Sequence, residues 1–397
     1  MQSHNIKLVY LFASFTIISI ASASVFTWGF NSAGELGTGS QTIGQIFPSP
    51  TPINETAGIQ HETITSICCG ENFCIAACES GVLYSWGDNT VGQLGDGSGQ
   101  NQAQPVRVKI SEKMAAISCG QDHVLATGFT GKVYAWGWNY RGQVAASMDV
   151  IMVPTPQKIH FFEQKNIVVH QIVAGYQHSM ALTDQGIVYT WGDNSMGQLG
   201  TGMNSEQPFS NVPTSVSGLP PISLIGAGED QSFAQSITSN QIALYAWGDN
   251  SVGQLGTGSV SDRPNYLPIK SNITNMRGFG PITQIVGGAG HTLAILYNGD
   301  VFVWGSNTFG QLGLGDKIDR YNPTLLRLAN QARIAHASGG LLHSLVVDEN
   351  GNVWGFGGNS SGQCGDGDRQ DLESPVQTSV SATYVAAGKF FSACAGN

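Results

Sequence analysis

The sequence predicts an all-β fold: a seven-bladed β-propeller of four-stranded antiparallel blades, closed by pairing the N- and C-terminal strands in one blade. Three observations carry this. A box of the form W-G-D-N-S-V-G-Q-L-G-T-G, as it reads from Trp247, occurs in seven versions. A second mark, a Gly followed three residues later by His or a substitute, precedes each later box. The two chain ends hold complementary parts of one repeat. Self-similarity at this scale sets the architecture before any local assignment.

The boxes open at Trp28, Trp86, Trp136, Trp191, Trp247, Trp304 and Phe356, spaced by 58, 50, 55, 56, 57 and 52 residues. A period of about 55 is too long for the helix pair of a common solenoid and suits a four-stranded propeller blade. From the second mark to the box aromatic the distance is 16 residues from Gly70, Gly120, Gly175, Gly288 and Gly340, and 19 from Gly228. Constant spacing inside unequal repeats means rigid geometry. Between the marks lie two short apolar runs and a turn, as in Ser179–Leu182, Thr183–Gly186 and Ile187–Trp191. That pattern reads as a β-hairpin. The other half of each period varies from 32 to 42 residues and holds the exposed loops.

Each box residue has a mechanical reason. Trp brings a large apolar body to wedge between sheets and an N–H that needs one acceptor. The Gly residues allow positive φ and close backbone approach. Asn250 and its equivalents tolerate the left-handed region and bond the backbone locally. Gln254 is expected to satisfy buried backbone groups and Leu255 to fill core. The seven aromatics are therefore read as structural, not catalytic.

In chain order, residues 1–23 read as a secretory signal peptide: Lys7 in a short polar start, an apolar run from Leu8 to Ile20, and an A-x-A cleavage site at Ala21–Ala23. Those thirteen residues span about 20 Å as a helix, short of the ~30 Å bilayer core, so cleavage is expected rather than an uncleaved anchor. Residues 24–397 then form one propeller domain. Strand sequence begins at Val25–Trp28, the second part of a blade, and ends at Tyr384–Cys394, the first part; joining them closes the ring and removes two open sheet edges. The stretches 40–60, 203–221 and 259–281 are rich in Pro, which confines them to loops or edge strands and makes them the expected contact surfaces.

The boxes and the G-x-x-H-[ST] stretches closely resemble the repeats of the RCC1 (regulator of chromosome condensation) family, over nearly all of residues 24–397. The resemblance implies a seven-bladed propeller and two broad activities: protein binding without catalysis, or guanine nucleotide exchange on a Ran-like small GTPase. In the third box Val144-Ala-Ala-Ser147 replaces L-G-x-G, so that loop is expected to be altered or frayed. Exchange factors of the family use a hairpin wedge, for which repeats of at most 58 residues leave little room. A photoreceptor branch uses G-W-R-H-T. Here Gly288-Ala-Gly-His291-Thr292 and Gly175-Tyr-Gln-His178-Ser179 lack the Trp, so ultraviolet sensing is not expected.

Candidate chemistry is sparse. His123, His178, His291 and His343 recur at one repeat position, which reads as packed, hydrogen-bonded histidines rather than a ring of ligands. Asp366-Gly-Asp368-Arg-Gln-Asp371 lacks the calcium-loop spacing. No catalytic residue, metal site or cofactor is expected, and a net charge of −10 argues against nucleic acid. A monomer is expected. Seven cysteines in an oxidising compartment should partly pair. Cys69 and Cys119 share a repeat position, but a disulfide needs Cα atoms about 5.5 Å apart, and a Cys74–Cys78 bridge fails because the span along one strand is ~13 Å. No pairing is assigned, and an odd count leaves a thiol free. Sequons at Asn54 and Asn272 fall in exposed loops and are expected to carry glycan, whereas Asn359 is the box Asn and is expected to be buried. The functional expectation is a secreted, non-enzymatic scaffold that binds a protein or surface ligand through its loop faces.

Overall fold

The computed structural model describes residues 24–39, 44–53, 58–202, 206–238, 241–273 and 280–396. They form seven four-stranded antiparallel sheets arranged as the blades of a propeller. Blade I joins Ser24–Asn31 and Gln45–Pro52 to Tyr384–Ala387 and Phe391–Gly396. Blade II is Ile64–Cys69, Phe73–Cys78, Leu83–Gly87 and Gln102–Arg107; blade III is Met114–Cys119, His123–Gly128, Val133–Trp138 and Met152–Lys158. Blade IV is Val169–Ala174, His178–Thr183, Val188–Asp193 and Phe209–Ser215; blade V is Leu224–Ala227, Gln231–Thr238, Gln241–Asn250 and Ser261–Lys270. Blade VI is Ile282–Gly287, His291–Leu296, Val301–Gly305 and Arg320–Leu326; blade VII is Ile334–Gly339, His343–Asp348, Asn352–Gly357 and Leu372–Ser381.

In each blade the first strand lies at the channel and touches its counterparts in the neighbouring blades. Blade I closes as expected, with Ser24 opposite Gly396 and Gly29 opposite Phe391. The Pro-rich stretches supply outermost strands, where a missing N–H costs no ladder bond: Pro48 and Pro50 in blade I, Pro213 in blade IV, Pro264 and Pro268 in blade V.

The apolar side chains fill the seams between sheets rather than one central core. One cluster unites Phe391 and Ala395 of blade I with Trp86 and Ile67 of blade II. All seven box aromatics are fully buried. Each buried indole then needs an acceptor, because an unpaired buried N–H costs ~1–3 kcal/mol. The main chain of the preceding blade provides it. Gln143 of blade III offers its carbonyl to the Trp191 indole at 2.8 Å and to the Ser179 hydroxyl at 2.8 Å, both in blade IV. His123 of blade III reaches Ser179 Oγ through Nε2 at 3.0 Å. The Ser hydrogen is committed to the carbonyl, so the imidazole must donate. This fixes the Nε2–H tautomer and leaves Nδ1 without a partner.

The arrangement repeats around the ring. His178 meets Ser232, His291 meets Ser344 and His343 meets Ser392, each at 2.9 Å. The Trp247, Trp304 and Trp28 indoles donate to the Gln198, Gln254 and Gln363 carbonyls at 2.8, 2.8 and 2.9 Å. Where the next blade lacks the hydroxyl, the histidine is absent as well. Phe391 packs in the cluster that holds Cys74, and Phe73 in the cluster that holds Val124. At the remaining seam Gln231 donates to the Gly288 carbonyl at 3.1 Å. Burial lowers the pKa of His123, His178 and His343 to about 3 and that of His291 to about 4, so they stay neutral.

Two glycine positions are set by these contacts. A Cβ on Gly120 would lie 2.2 Å from His123 Cε1, because the ring folds back under the turn. A Cβ on Gly95, at φ +67°, would lie 2.7 Å from Trp136 Nε1. In blade III that second place is taken by Ala145, held at φ 56°. The loop is altered, as one half of the expectation has it, but it is not frayed. Val144 N–H still donates to Asn139 Oδ1 at 3.3 Å, Ala145 N–H to the Gly142 carbonyl at 2.9 Å, and Asn139 Nδ2 to the Val150 carbonyl at 2.7 Å. The turn's hydrogen bonds hold Ala145 in a left-handed conformation that costs a non-glycine residue about 1–2 kcal/mol.

Trp247→Ala is expected to lower stability by ~3–5 kcal/mol in urea unfolding, and Trp138→Ala, which truncates a half-buried ring, by much less; equal losses would contradict the seam assignment. His178→Phe is expected to cost ~1–3 kcal/mol. Adding Ser232→Val, which copies the Phe73 and Val124 pairing, should recover part of it in a double-mutant cycle. The same pair carries a pH signature. A neutral histidine whose folded pKa lies below its unfolded value of about 6.5 contributes stability that is present above that pH and lost as pH falls towards 3. The double variant should therefore lose less stability than the parent between pH 6.5 and 4, read by thermal unfolding across that window.

Candidate binding face

Strand direction alternates within a blade, so the turns after the channel strand and the box loops emerge on one face. Gln93 of the blade II box accordingly reaches Asp122 in the blade III turn at 3.3 Å, and Gln198 reaches Asp230 at 2.9 Å. The channel opens on this face. Its rim is drawn together by main-chain bonds that step from blade to blade: Glu71 N–H to the Gln121 carbonyl, Gln121 to Tyr176, Tyr176 to Glu229, and Lys389 to Glu71, at 2.8–3.2 Å. Side chains reinforce it. Glu71 takes hydrogen bonds from Gln121 at 2.7 Å and Tyr176 at 2.8 Å and pairs with Lys389. Burial works against the Glu71 charge, but Lys389, Tyr176 and Gln121 outweigh it and hold the carboxyl below its ordinary range.

Lys389 also favours the charged forms of Asp122 and Glu229, but too weakly to offset burial and their acidic neighbours. Burial first, then Glu71 and Asp88, raise Asp122 to about 7; burial, then Glu229, Asp193 and Asp249, raise Asp230 to about 7. Glu229 is raised by burial and by Glu71. Burial and like charge therefore work against full ionisation of Asp122, Asp230 and Glu229, while Glu71 keeps its charge.

Inside, the channel strands enclose a cavity of about 290 Å³. Its polar groups are used to staple neighbouring blades. Ser118 accepts from Ala174 N–H at 2.9 Å and Ser338 from Ala387 N–H at 2.9 Å. Gln171 bridges both main-chain groups of Ile225 and Gln284 both of Ala337, at 2.9–3.1 Å. Between blades II and III the staple is covalent: Cys68 is bonded to Cys119, with Cα atoms 5.6 Å apart. Cys69 is bonded to Cys74, its partner across the turn. Cys78, Cys364 and Cys394 are buried thiols, with Cys78 and Cys394 pushed up to about 12 by burial. The bridge to Cys119 comes from Cys68, one residue before the equivalent position, on the same diagonal that joins Ser118 to Ala174.

The remaining sequence candidates fall as follows. Asn272 is exposed after the outer strand of blade V, with Nδ2 2.8 Å from Asn322 Oδ1. Asn54 and the proposed signal peptide lie outside the described residues. Asn359 is fully buried. Asp366 and Asp371 serve the blade VII turn by accepting from Asn359. Among the described residues no cluster of His, Cys, Asp or Glu could hold a metal ion, and no helix is long and apolar enough to cross a membrane.

Blade III breaks the pattern on this face. Trp138 stands where Asp88, Asp193 and Asp249 stand in blades II, IV and V. It stacks on Tyr140 with ring centroids 5.7 Å apart. Exposed Tyr140, Ile151, Met152, Phe209 and Val212 continue the apolar surface across to the outer strand of blade IV, which is fastened to the blade III loop by Asn211 Nδ2 donating to the Ala146 carbonyl at 2.9 Å.

Comparison with known proteins agrees with this architecture. Residues 25–394 match the model of the RCC1-like domain. The chain is 33% identical over 370 residues to the ultraviolet-B receptor UVR8 of Arabidopsis thaliana, covering 91% of this chain and 79% of the receptor. It is 35% identical over 352 residues to the human probable E3 ubiquitin-protein ligase HERC3, covering 88% of this chain but only 32% of that protein. Among solved structures, Prp20p of Saccharomyces cerevisiae superimposes with a TM-score of 0.82 at 24% identity, covering 95% of this chain and 92% of that one. With box, seam and ring closure all in place, the chain belongs to the RCC1-like domain family.

Proposed function

We propose that this chain is a secreted, non-enzymatic propeller scaffold that binds a protein or surface ligand through its loop faces, chiefly the face that carries the boxes. The observation that carries the reading is the apolar ledge where blades III and IV meet. Contiguous exposed aromatic and aliphatic side chains rimmed by polar groups are the mark of an interaction surface. The four cysteines in two disulfides support an oxidising compartment, as do the apolar run after Lys7 and the exposed Asn272 sequon. Guanine nucleotide exchange on a Ran-like GTPase is the alternative.

Expression with a C-terminal tag in a eukaryotic secretory host tests the reading. The expected product is in the medium, begins at Ser24, and carries glycosidase-sensitive glycans that Asn272→Gln reduces by one and Asn54→Gln with Asn272→Gln removes, while Asn359 stays unmodified. Peptide mapping without reductant should show Cys68 joined to Cys119 and Cys69 to Cys74. Protein confined to the cytosol with Met1 intact and reduced cysteines would defeat the secretory reading. Accelerated nucleotide release from a purified Ran-like GTPase would favour the alternative.

A further inference from the structure

In blades II, IV and V the box Gln uses both ends of its amide within the turn. Gln93 Oε1 accepts from Val91 N–H at 3.0 Å while Nε2 donates to Asp88 at 2.7 Å; Gln198 and Gln254 repeat this with Asp193 at 2.8 Å and Asp249 at 2.6 Å. In blade III the first half is kept, since Gln143 Oε1 accepts from Arg141 N–H at 2.9 Å. The amide is therefore oriented as in the other copies. The second half is missing, because Trp138 replaces the carboxylate. Gln143 is fully buried and its Nε2 has no partner. A buried donor left unpaired is costly, so an acceptor brought to this amide would stabilise it.

The surroundings differ from the other copies as well. The place of Arg141 is taken by Val91 and Val252 in blades II and V. Arg141 lies over Tyr140 at 5.3 Å and Phe209 at 5.9 Å, with Nε 3.4 Å from Asp193 Oδ1. Tyr140 is 56% exposed and Ile151 59% exposed. One repeat thus combines an unpaired buried N–H, a guanidinium and an apolar ledge.

We propose that this seam docks a partner segment with aromatic or aliphatic side chains and a carboxylate, the carboxylate entering the acceptor place that the box Asp fills in three sister blades. The proposal rests on the scaffold reading and narrows it to a partner chemistry. The fold already accommodates a carboxylate against this amide in blades II, IV and V, so no new backbone geometry is needed. The amide is shielded in the free protein, so surrounding side chains must part for the acceptor to reach it. Arg141, about a third exposed, faces Asp193 through Nε, and its terminal guanidinium N–H groups favour a carboxylate over a neutral acceptor.

The test uses the purified chain and a display library of random peptides, with Trp138→Asp as the counter-target. That variant restores the internal acceptor, so it should melt at a higher temperature and lose the peptides. Arg141→Val, the residue of two sister blades, serves as a second variant should Trp138→Asp misfold. Selected peptides are expected to pair Asp or Glu with aromatic residues. They should bind about tenfold more weakly, by fluorescence anisotropy, to either variant or when the acid is changed to its amide. Peptides held equally by parent and variants would overturn this site while leaving a scaffold that binds elsewhere. Enrichment of basic peptides, or affinity unchanged by the acid-to-amide exchange, would also overturn it. If the ledge is instead covered by a second copy, sedimentation will show a dimer that Trp138→Asp dissociates, and the proposal fails on that outcome too. No selected peptides from either target would defeat this site and weaken the scaffold reading together.

Discussion

The ring depends on one main-chain carbonyl per seam. The box Gln of a blade, or Glu35 in blade I, presents its C=O to the next blade, where an indole N–H, a hydroxyl or both converge on it. A flat sheet buries its faces only by stacking on another sheet, and stacking strands the polar atoms of any side chain large enough to fill the gap. The carbonyl resolves this because its lone pairs can serve two donors at once. The imidazole completes the set by donating to the hydroxyl. Apolar packing and hydrogen bonding therefore act at the same atoms, and neither is available to a blade on its own.

This constraint explains features that otherwise look unrelated. The second strand places the histidine and the third places the indole, so the residues between them are held to one spacing, whereas the outer strand and its loops lie beyond the clamp and vary. Ala145 is tolerated at positive φ because the turn that presents Gln143 is held by Asn139 from inside. Phe occupies the histidine place only where Cys74 or Val124 has removed the hydroxyl it would meet. The ring closes through the same interaction, since Gln363 near the end of the chain holds Trp28 near its start.

A frame that satisfies itself so fully leaves little chemistry inside. The histidines are neutral, each with Nε2 committed to the neighbouring hydroxyl, and the channel's polar groups join one blade to the next. What is left over lies on the box face: rim carboxylates that titrate near neutral pH and, at blade III, a surface with an apolar ledge and one unmet donor. Function in such a molecule is expected where the repeat is broken, because the intact copies are spent on holding the ring.

Much of this was legible in the chain. The boxes determined the number of blades, and the complementary ends determined how the ring shuts, because a repeated local pattern dictates a repeated local structure. The matched loss of histidine and hydroxyl at Phe73 with Val124 and at Phe391 with Cys74 was also present in the sequence, but it becomes visible only when residues about one repeat apart are read as neighbours. The decayed third box is altered, as its lost glycines indicate, yet it does not fray, because the retained Asn139 keeps the turn. Tertiary structure alone decided the rest. Cys119 bonds Cys68 rather than the equivalent Cys69 because channel strands of adjacent blades meet on a diagonal. Arg141 lies over both Tyr140 of its own blade and Phe209 of the next because blades III and IV are set side by side. Sequence pattern specifies what each blade is, but contacts across a seam depend on the stagger between two sheets, which no single repeat encodes.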